Sequence, residues 1–204
     1  MIYEMRTYTL HAGKVPEFEK RFGEVIPHRE KYSPLAAFWH TEIGPLNQVI
    51  HVWPYADLGE RTRVRAEALK DPNWPPKTGD LIVAQESKLL NPAPFSPPLE
   101  ARQIGPYYEI RTYDIVPGMI PKVIEEFGKA IPNRIRHSPL VGAFWTETGP
   151  LNQWIHIWAY TNLDERMRIR AQALKDPTWP PKMVELEVRM ESKIVMPAGF
   201  SKLK

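Results

Sequence analysis

Two histidines stand in matching surroundings, Gln48-Val49-Ile50-His51-Val52-Trp53 and Gln153-Trp154-Ile155-His156-Ile157-Trp158. Histidine titrates near neutral pH, so His51 and His156 can serve as general base, proton shuttle or metal ligand. The competing role is a buried neutral imidazole hydrogen-bonded to a neighbouring strand residue, because buried polar groups are generally paired. Side chains alternate along a strand, which puts Ile50 and Val52 on one face and Val49, His51 and Trp53 on the other. Glu4, Arg6 and Tyr8 share a strand face at two-residue steps, as do Glu109, Arg111 and Tyr113. An arginine there can grip a substrate carboxylate with two parallel hydrogen bonds, or can hold a structural ion pair across a sheet interface. Glu42 and Glu147 come just before Gly-Pro-Leu-Asn-Gln and offer acid/base groups near strand ends, while Asn47 and Asn152 suit the fixing of a turn. The candidate catalytic residues are therefore His51, His156, Glu42 and Glu147. The candidate ligand-binding residues are Arg6, Tyr8, Trp53, Arg111, Tyr113 and Trp158.

Other motifs carry less chemistry. Arg61-Thr62-Arg63-Val64-Arg65 and Arg166-Met167-Arg168-Ile169-Arg170 put their first and last arginines on one helix face, which reads as a solvated face. Trp74-Pro75-Pro76 and Trp179-Pro180-Pro181 can wall a pocket or close over the core. There is no Gly-rich phosphate loop, no Gly-x-Ser-x-Gly elbow and no His-Glu-x-x-His pair. No cofactor and no metal centre are expected, although either histidine could in principle take a haem iron.

The elements that must position these residues come from 204 residues, 43% hydrophobic and 25% charged, as in an ordinary soluble protein. The net charge is +3 and the pI about 9.0, but bases and acids are interspersed, which argues against a nucleic-acid partner. The absence of cysteine excludes disulfides and thiolate chemistry. No apolar run approaches the ~18–20 residues of a membrane span, so a cytoplasmic protein is expected.

Tyr3-Glu4-Met5-Arg6-Thr7-Tyr8 recurs as Tyr108-Glu109-Ile110-Arg111-Thr112-Tyr113, an offset of 105. Ser33-Pro34-Leu35, Gly44-Pro45-Leu46-Asn47-Gln48 and Leu69-Lys70-Asp71-Pro72 recur at the same offset. Phe38-Trp39 and Phe144-Trp145 are 106 apart, which reads as a one-residue slip that leaves His40 without a counterpart. A period this long is a domain duplication, with units at 1–98 and 106–204 joined by Pro92 to Leu99, whose prolines favour extended backbone. Within a unit, residues 2–9 read as a strand and 14–31 as a helix that Pro27 should end or bend. Strands follow at 35–43 and 47–54. A helix over 57–70 is capped by Asp57; a short helix after Pro76 and a strand over 85–90 complete the unit. This βαββαβ order is ferredoxin-like. Both faces of the 48–53 strand carry apolar bulk, so the two sheets should face each other, with His51 and His156 pointing between them.

The motifs Tyr-Glu-x-Arg-Thr-Tyr, Gly-Pro-Leu-Asn-Gln-x-Ile-His-x-Trp and Gln85-Glu86-Ser87-Lys88-Leu89-Leu90-Asn91-Pro92 resemble the NIPSNAP family in nearly all of both copies. The second copy departs with Met190 where Gln85 stands. The resemblance implies the dimeric α/β-barrel superfamily, in which two ferredoxin-like units pack sheet to sheet and whose members include small monooxygenases, isomerases and haem enzymes. It carries over the fold; one fold hosts many chemistries. Two functions follow as expectations. One is a small apolar or aromatic molecule bound or transformed between sheet and helices or between the sheets, in the manner of a cofactor-independent oxygenase or isomerase. The other is a non-catalytic interaction or scaffold module. Each unit's sheet edges are expected to be open to further homo-oligomerisation.

Overall fold

A computed structural model describes residues 1–204. The first half runs β1 (Ile2–Leu10), α1 (Val15–Glu30), β2 (Ala37–Ile43), β3 (Gln48–Tyr55), α2 (Leu58–Ala68) and β4 (Ile82–Pro92). The second repeats it as β5 (Tyr107–Ile115), α3 (Ile120–Arg134), β6 (Leu140–Thr148), β7 (Gln153–Tyr160), α4 (Leu163–Ala173) and β8 (Glu187–Pro197). Local chemistry explains the boundaries. Asp57 and Asn162 accept from the backbone N–H groups of Glu60 and Glu165, which caps α2 and α4. Asn47 and Asn152 hold φ of 57° and 59° in the hairpin turns, a left-handed conformation that asparagine tolerates better than most residues. Pro27 does not end α1, which continues to Glu30. The short helix expected after Pro76 is a single 3-10 turn at Gly79–Leu81, and β4 begins at Ile82 rather than Gln85.

All strand pairs are antiparallel, in the closed order β1-β3-β2-β8-β5-β7-β6-β4. Each ferredoxin-like half contributes four strands. The halves join where β2 pairs with β8 and β4 with β6. The expected open edges are therefore used up in closing the barrel, and edge pairing with further chains is not available to them.

The barrel interior is one apolar cluster drawn from both halves. It includes Met5, Trp39, Ile50 and Val52 from the first and Ile110, Phe144, Ile155 and Ile157 from the second. Two further clusters lie outside the barrel under the helices, one with Phe18, Phe22, Val49 and Trp53 and the other with Val123, Phe127, Trp154 and Trp158. His51 packs against Phe22 of α1, and His156 against Phe127 of α3. Both histidines thus face the helices and not the other sheet, contrary to the expectation. The barrel interior takes the Ile/Val side of β3 and β7, and the bulkier aromatic side meets the helices.

The strand register also removes the apparent slip in the repeat. Phe38 pairs with His51, and Ala143 pairs with His156, so the offset of 105 holds through β2 and β6. His40 is matched by Trp145. A one-residue shift would have turned every following side chain to the other face. Beneath the helices the halves exchange bulk instead: Phe38 and Val49 in one correspond to Ala143 and Trp154 in the other.

The proline-rich tails cross over. Phe95, after β4, stacks on Phe127 of the second half with centroids 6.1 Å apart, and Phe200, after β8, stacks on Phe22 of the first at 6.1 Å. Ser96 Oγ accepts from the Ala143 N–H, and Ser201 Oγ from that of Phe38. Gly23 makes room for this crossing, because a Cβ there would lie 2.8 Å from the Phe200 ring. Each tail closes the core of the other half.

Candidate functional site

Two pockets open between the outer sheet face and the helices, one in each half. The first, of about 320 Å3, has Arg6, Tyr8, His51 and Trp53 on its strand floor, with Arg65 and Trp74 toward the rim. The second, of about 250 Å3, has Arg111, Tyr113, His156 and Trp158, with Arg170 and Trp179. All six candidate ligand-binding residues and both histidines thus line these cavities. Glu42 and Glu147 do not. They are exposed at the ends of β2 and β6, where Glu147 accepts from Asn91 at 2.7 Å. A third cavity, of about 240 Å3, lies at a barrel mouth between the sheets. Its polar groups satisfy one another, with Lys88 donating to Gln153 at 2.9 Å and Lys193 to Gln48 at 3.4 Å.

The histidine geometry is specific. Trp53 Nε1–H donates to His51 Nδ1 at 2.7 Å, and Trp158 Nε1–H to His156 Nδ1 at 2.6 Å. An indole nitrogen only donates, so each Nδ1 must be the bare, accepting nitrogen and each neutral ring carries its proton on Nε2. Those Nε2 atoms are buried and have no partner. The expected alternative of a satisfied structural histidine is met at one nitrogen and fails at the other. Burial pushes the His51 pKa down to about 3, assisted by the charge of Arg6. His156 is lowered in the same way by burial and by Arg111. Both are neutral donors at physiological pH and are poorly placed as general bases. They are also ill suited to a haem iron. A neutral histidine that ligates through Nε2 carries its proton on Nδ1, where the tryptophan already donates.

Beside each histidine a glutamate is fully enclosed by arginines. Arg6 and Arg61 pair with Glu4 at 2.9 and 2.6 Å, Ser87 donates at 2.9 Å, and Arg65 stands at 3.5 Å. Arg111, Arg166 and Arg170 surround Glu109 at 2.8, 2.7 and 3.6 Å. Arg61, Arg65, Arg166 and Arg170 are therefore not a solvated helix face. They reach down from α2 and α4 to a carboxylate that would otherwise be stranded. Burial by itself would raise the Glu4 pKa, but the Arg61 hydrogen bond and the charges of Arg65 and Arg6 bring it to about 2. Glu109 reaches about 2 against the same burial, through Arg166, Ser192 and Arg111.

Arg29 and Arg134 were not singled out by motif. Each lies over a pocket tryptophan, 4.4 Å from the Trp53 ring and 4.0 Å from Trp158, and donates to Tyr55 or Tyr160. They lie near the helix ends at the repeat offset, which was the available signal. Three guanidiniums contact each glutamate, and three line each cavity: Arg6, Arg29 and Arg65 in the first, Arg111, Arg134 and Arg170 in the second, an excess of positive charge beside walls of aromatic rings.

A protein-family model described as NIPSNAP matches residues 3–97 and again 108–202. The chain belongs to the NIPSNAP family. It is 32% identical to a NipSnap homolog from Dictyostelium discoideum over 96% of this chain and 87% of that one. Identity to human NipSnap homolog 3A is 30%, over 100% of this chain and 86% of that one. Among solved structures, a candidate monooxygenase from Fusobacterium nucleatum matches 100% of this NIPSNAP chain and 97% of its own with a TM-score of 0.69. At 11% identity that likeness shows a shared dimeric α/β-barrel fold. No helix of this NIPSNAP protein is long and apolar enough to cross a membrane.

Proposed function

We propose that each half of this NIPSNAP protein binds a small organic molecule with an aromatic or apolar body and an anionic or strongly accepting head. The observation that carries this reading is the buried Nε2–H of His51 and of His156, each without a partner in an aromatic pocket. A buried donor left unmade costs about 1–3 kcal/mol, and a ligand oxygen would recover it. The arginine excess favours negative charge on that ligand. The body would lie against Trp74 and Phe22, or against Trp179 and Phe127, rings that form the pocket walls. In chemical terms each site offers a fixed neutral donor beside guanidinium charge, the equipment that stabilises a carbonyl oxygen as it becomes an oxyanion.

Titration with 1-naphthoate and with the neutral 1-naphthamide, followed by tryptophan fluorescence, tests the reading. The pockets contain Trp53, Trp74, Trp158 and Trp179 as reporters. Two equivalents of naphthoate should bind, and the amide should bind more weakly. Arg65→Leu and Arg170→Leu should each weaken one site by roughly tenfold or more, the worth of a charge-assisted hydrogen bond. Failure of both compounds to bind would favour the interaction-module alternative instead.

A further inference from the structure

The two pockets share a floor and differ at the rim. The offset of 105 maps His51, Arg65 and Trp74 onto His156, Arg170 and Trp179. It also maps Ile82 onto Glu187, Thr78 onto Met183 and Gln85 onto Met190. Glu187 opens β8 opposite Ile115, just beyond a bulge in the β5–β8 register. Tyr113 and Ile115 both belong to the cluster under the helices, so the bulge turns Glu187 onto that same face. Its half-buried side chain lines the second cavity together with His156, Arg111 and Arg170. Arg111 is already engaged by Glu109 and Tyr113, and Arg170 stands against Glu109, which leaves the Glu187 carboxylate without an ion-pair partner. The rim around it is apolar, with Met183, Val184 and Met190. Burial holds its pKa above the ordinary carboxylate value, with Arg111 pulling part of the way back.

The lining of one cavity thus includes an unpaired carboxylate and an imidazole whose buried Nε2–H has no partner. A base for a proton and a donor for the oxygen that gains charge are the two parts that proton transfer at a carbon acid requires. We propose that the second pocket catalyses proton transfer at a carbon adjacent to a carbonyl, with Glu187 as general base and the His156 Nε2–H as donor to the carbonyl oxygen. This rests on the binding function proposed above. The Glu187 carboxylate removes the proton, and the C–H electron pair forms a carbon–carbon double bond as the carbonyl π pair moves onto oxygen. That enolate oxygen is held by the His156 Nε2–H in the positive field of Arg111 and Arg170. The carboxylic acid of Glu187 then returns the proton to the same carbon, or to a remote carbon of a conjugated substrate, which completes an isomerisation. Atoms and electrons balance without an oxidant or other co-reactant. His156 keeps its proton throughout, since Trp158 occupies its other nitrogen. The substrate class is an enolisable 2-oxo acid with an aryl or alkyl body, its carboxylate toward the arginines. The first pocket has Ile82 at the position of the base and is a binding site only.

Phenylpyruvate in deuterium oxide tests this, because loss of its C3 proton signal in NMR reports transfer at the reacting carbon. The full chain should accelerate exchange above buffer, and Glu187→Gln should lower the enzymatic rate roughly 10²-fold or more while two equivalents of 1-naphthoate still bind. Exchange at the full rate in Glu187→Gln would overturn the proposal. So would binding of phenylpyruvate to the full chain with no exchange above buffer, a result that leaves the binding function standing. Absence of binding by phenylpyruvate and by 1-naphthoate would remove both.

Discussion

Glu4 and Glu109 show how a single residue can anchor both stability and site. Each is fully enclosed and is the shared partner of arginines of which Arg6 and Arg65, or Arg111 and Arg170, also line the pocket. Removing one partner of a buried ionic network leaves the others uncompensated, at a typical cost of about 3–5 kcal/mol. Glu4→Gln and Glu109→Gln are expected to lower stability by that order in urea denaturation. Glutamates depressed from 4.5 to about 2 contribute stability that is complete above pH 4.5 and fades as pH falls toward 2. His51, held at about 3 against an ordinary 6.5, contributes in the same direction over a higher window: the unfolded chain takes up its proton below 6.5 while the folded chain does not. Stability should therefore decline on acidification from about pH 6.5 and fall more steeply below about 4.5. A flat profile from pH 7 to 4 would contradict the assignments. The histidines were legible in the sequence as candidates, but their direction was not. Both faces of β3 and β7 are apolar, and alternation alone cannot say which of two apolar faces meets helices. Glu187 was legible only as a mismatch with Ile82 in the repeat, and a β-bulge decides where it points.

At the scale of the element, the crossed tails were hidden in sequence because their proline-rich composition reads as linker. Their tie to the opposite half appears only in the glycines beneath them. Gly23 in α1 lies under Phe200, and Gly128 in α3 lies 3.3 Å from the Phe95 ring at the position of a Cβ. Gly23→Ala should destabilise the protein, because the new methyl meets the ring. In a Phe200→Ala background the same change should instead be neutral or gain up to about 1 kcal/mol of helix propensity. A double-mutant cycle measures this coupling, and additive effects would mean that the tail does not pack there. The helices, hairpins and strand order within a half followed directly from hydrophobic spacing and turn residues. The early start of β4 at Ile82 did not, since a short apolar stretch after Pro76 suits helix and strand alike.

The whole molecule is a closed barrel because each half supplies what the other lacks: a partner for β2, a partner for β4 and a tail over the helix core. Duplication and βαββαβ order were readable from the offset of 105. The pairing of edges was not, because the sequence of one half carries no signal for which strand of the other it will meet. Separate expression of residues 1–98 is expected to give a homodimer in which β4 of one copy takes the place of β8 beside β2 of the other. Sedimentation showing a folded monomer would contradict that closure.

If His51 and His156 are neutral donors available to a ligand, the nitrogens of the two rings show it most directly. In 15N NMR of the labelled chain, each ring should show a bare Nδ1 and a protonated Nε2, unchanged between pH 8 and 5. The Nε2 signals should move on addition of 1-naphthoate. Rings that titrate near pH 6.5, that carry their proton on Nδ1, or that ignore the anion would contradict the account.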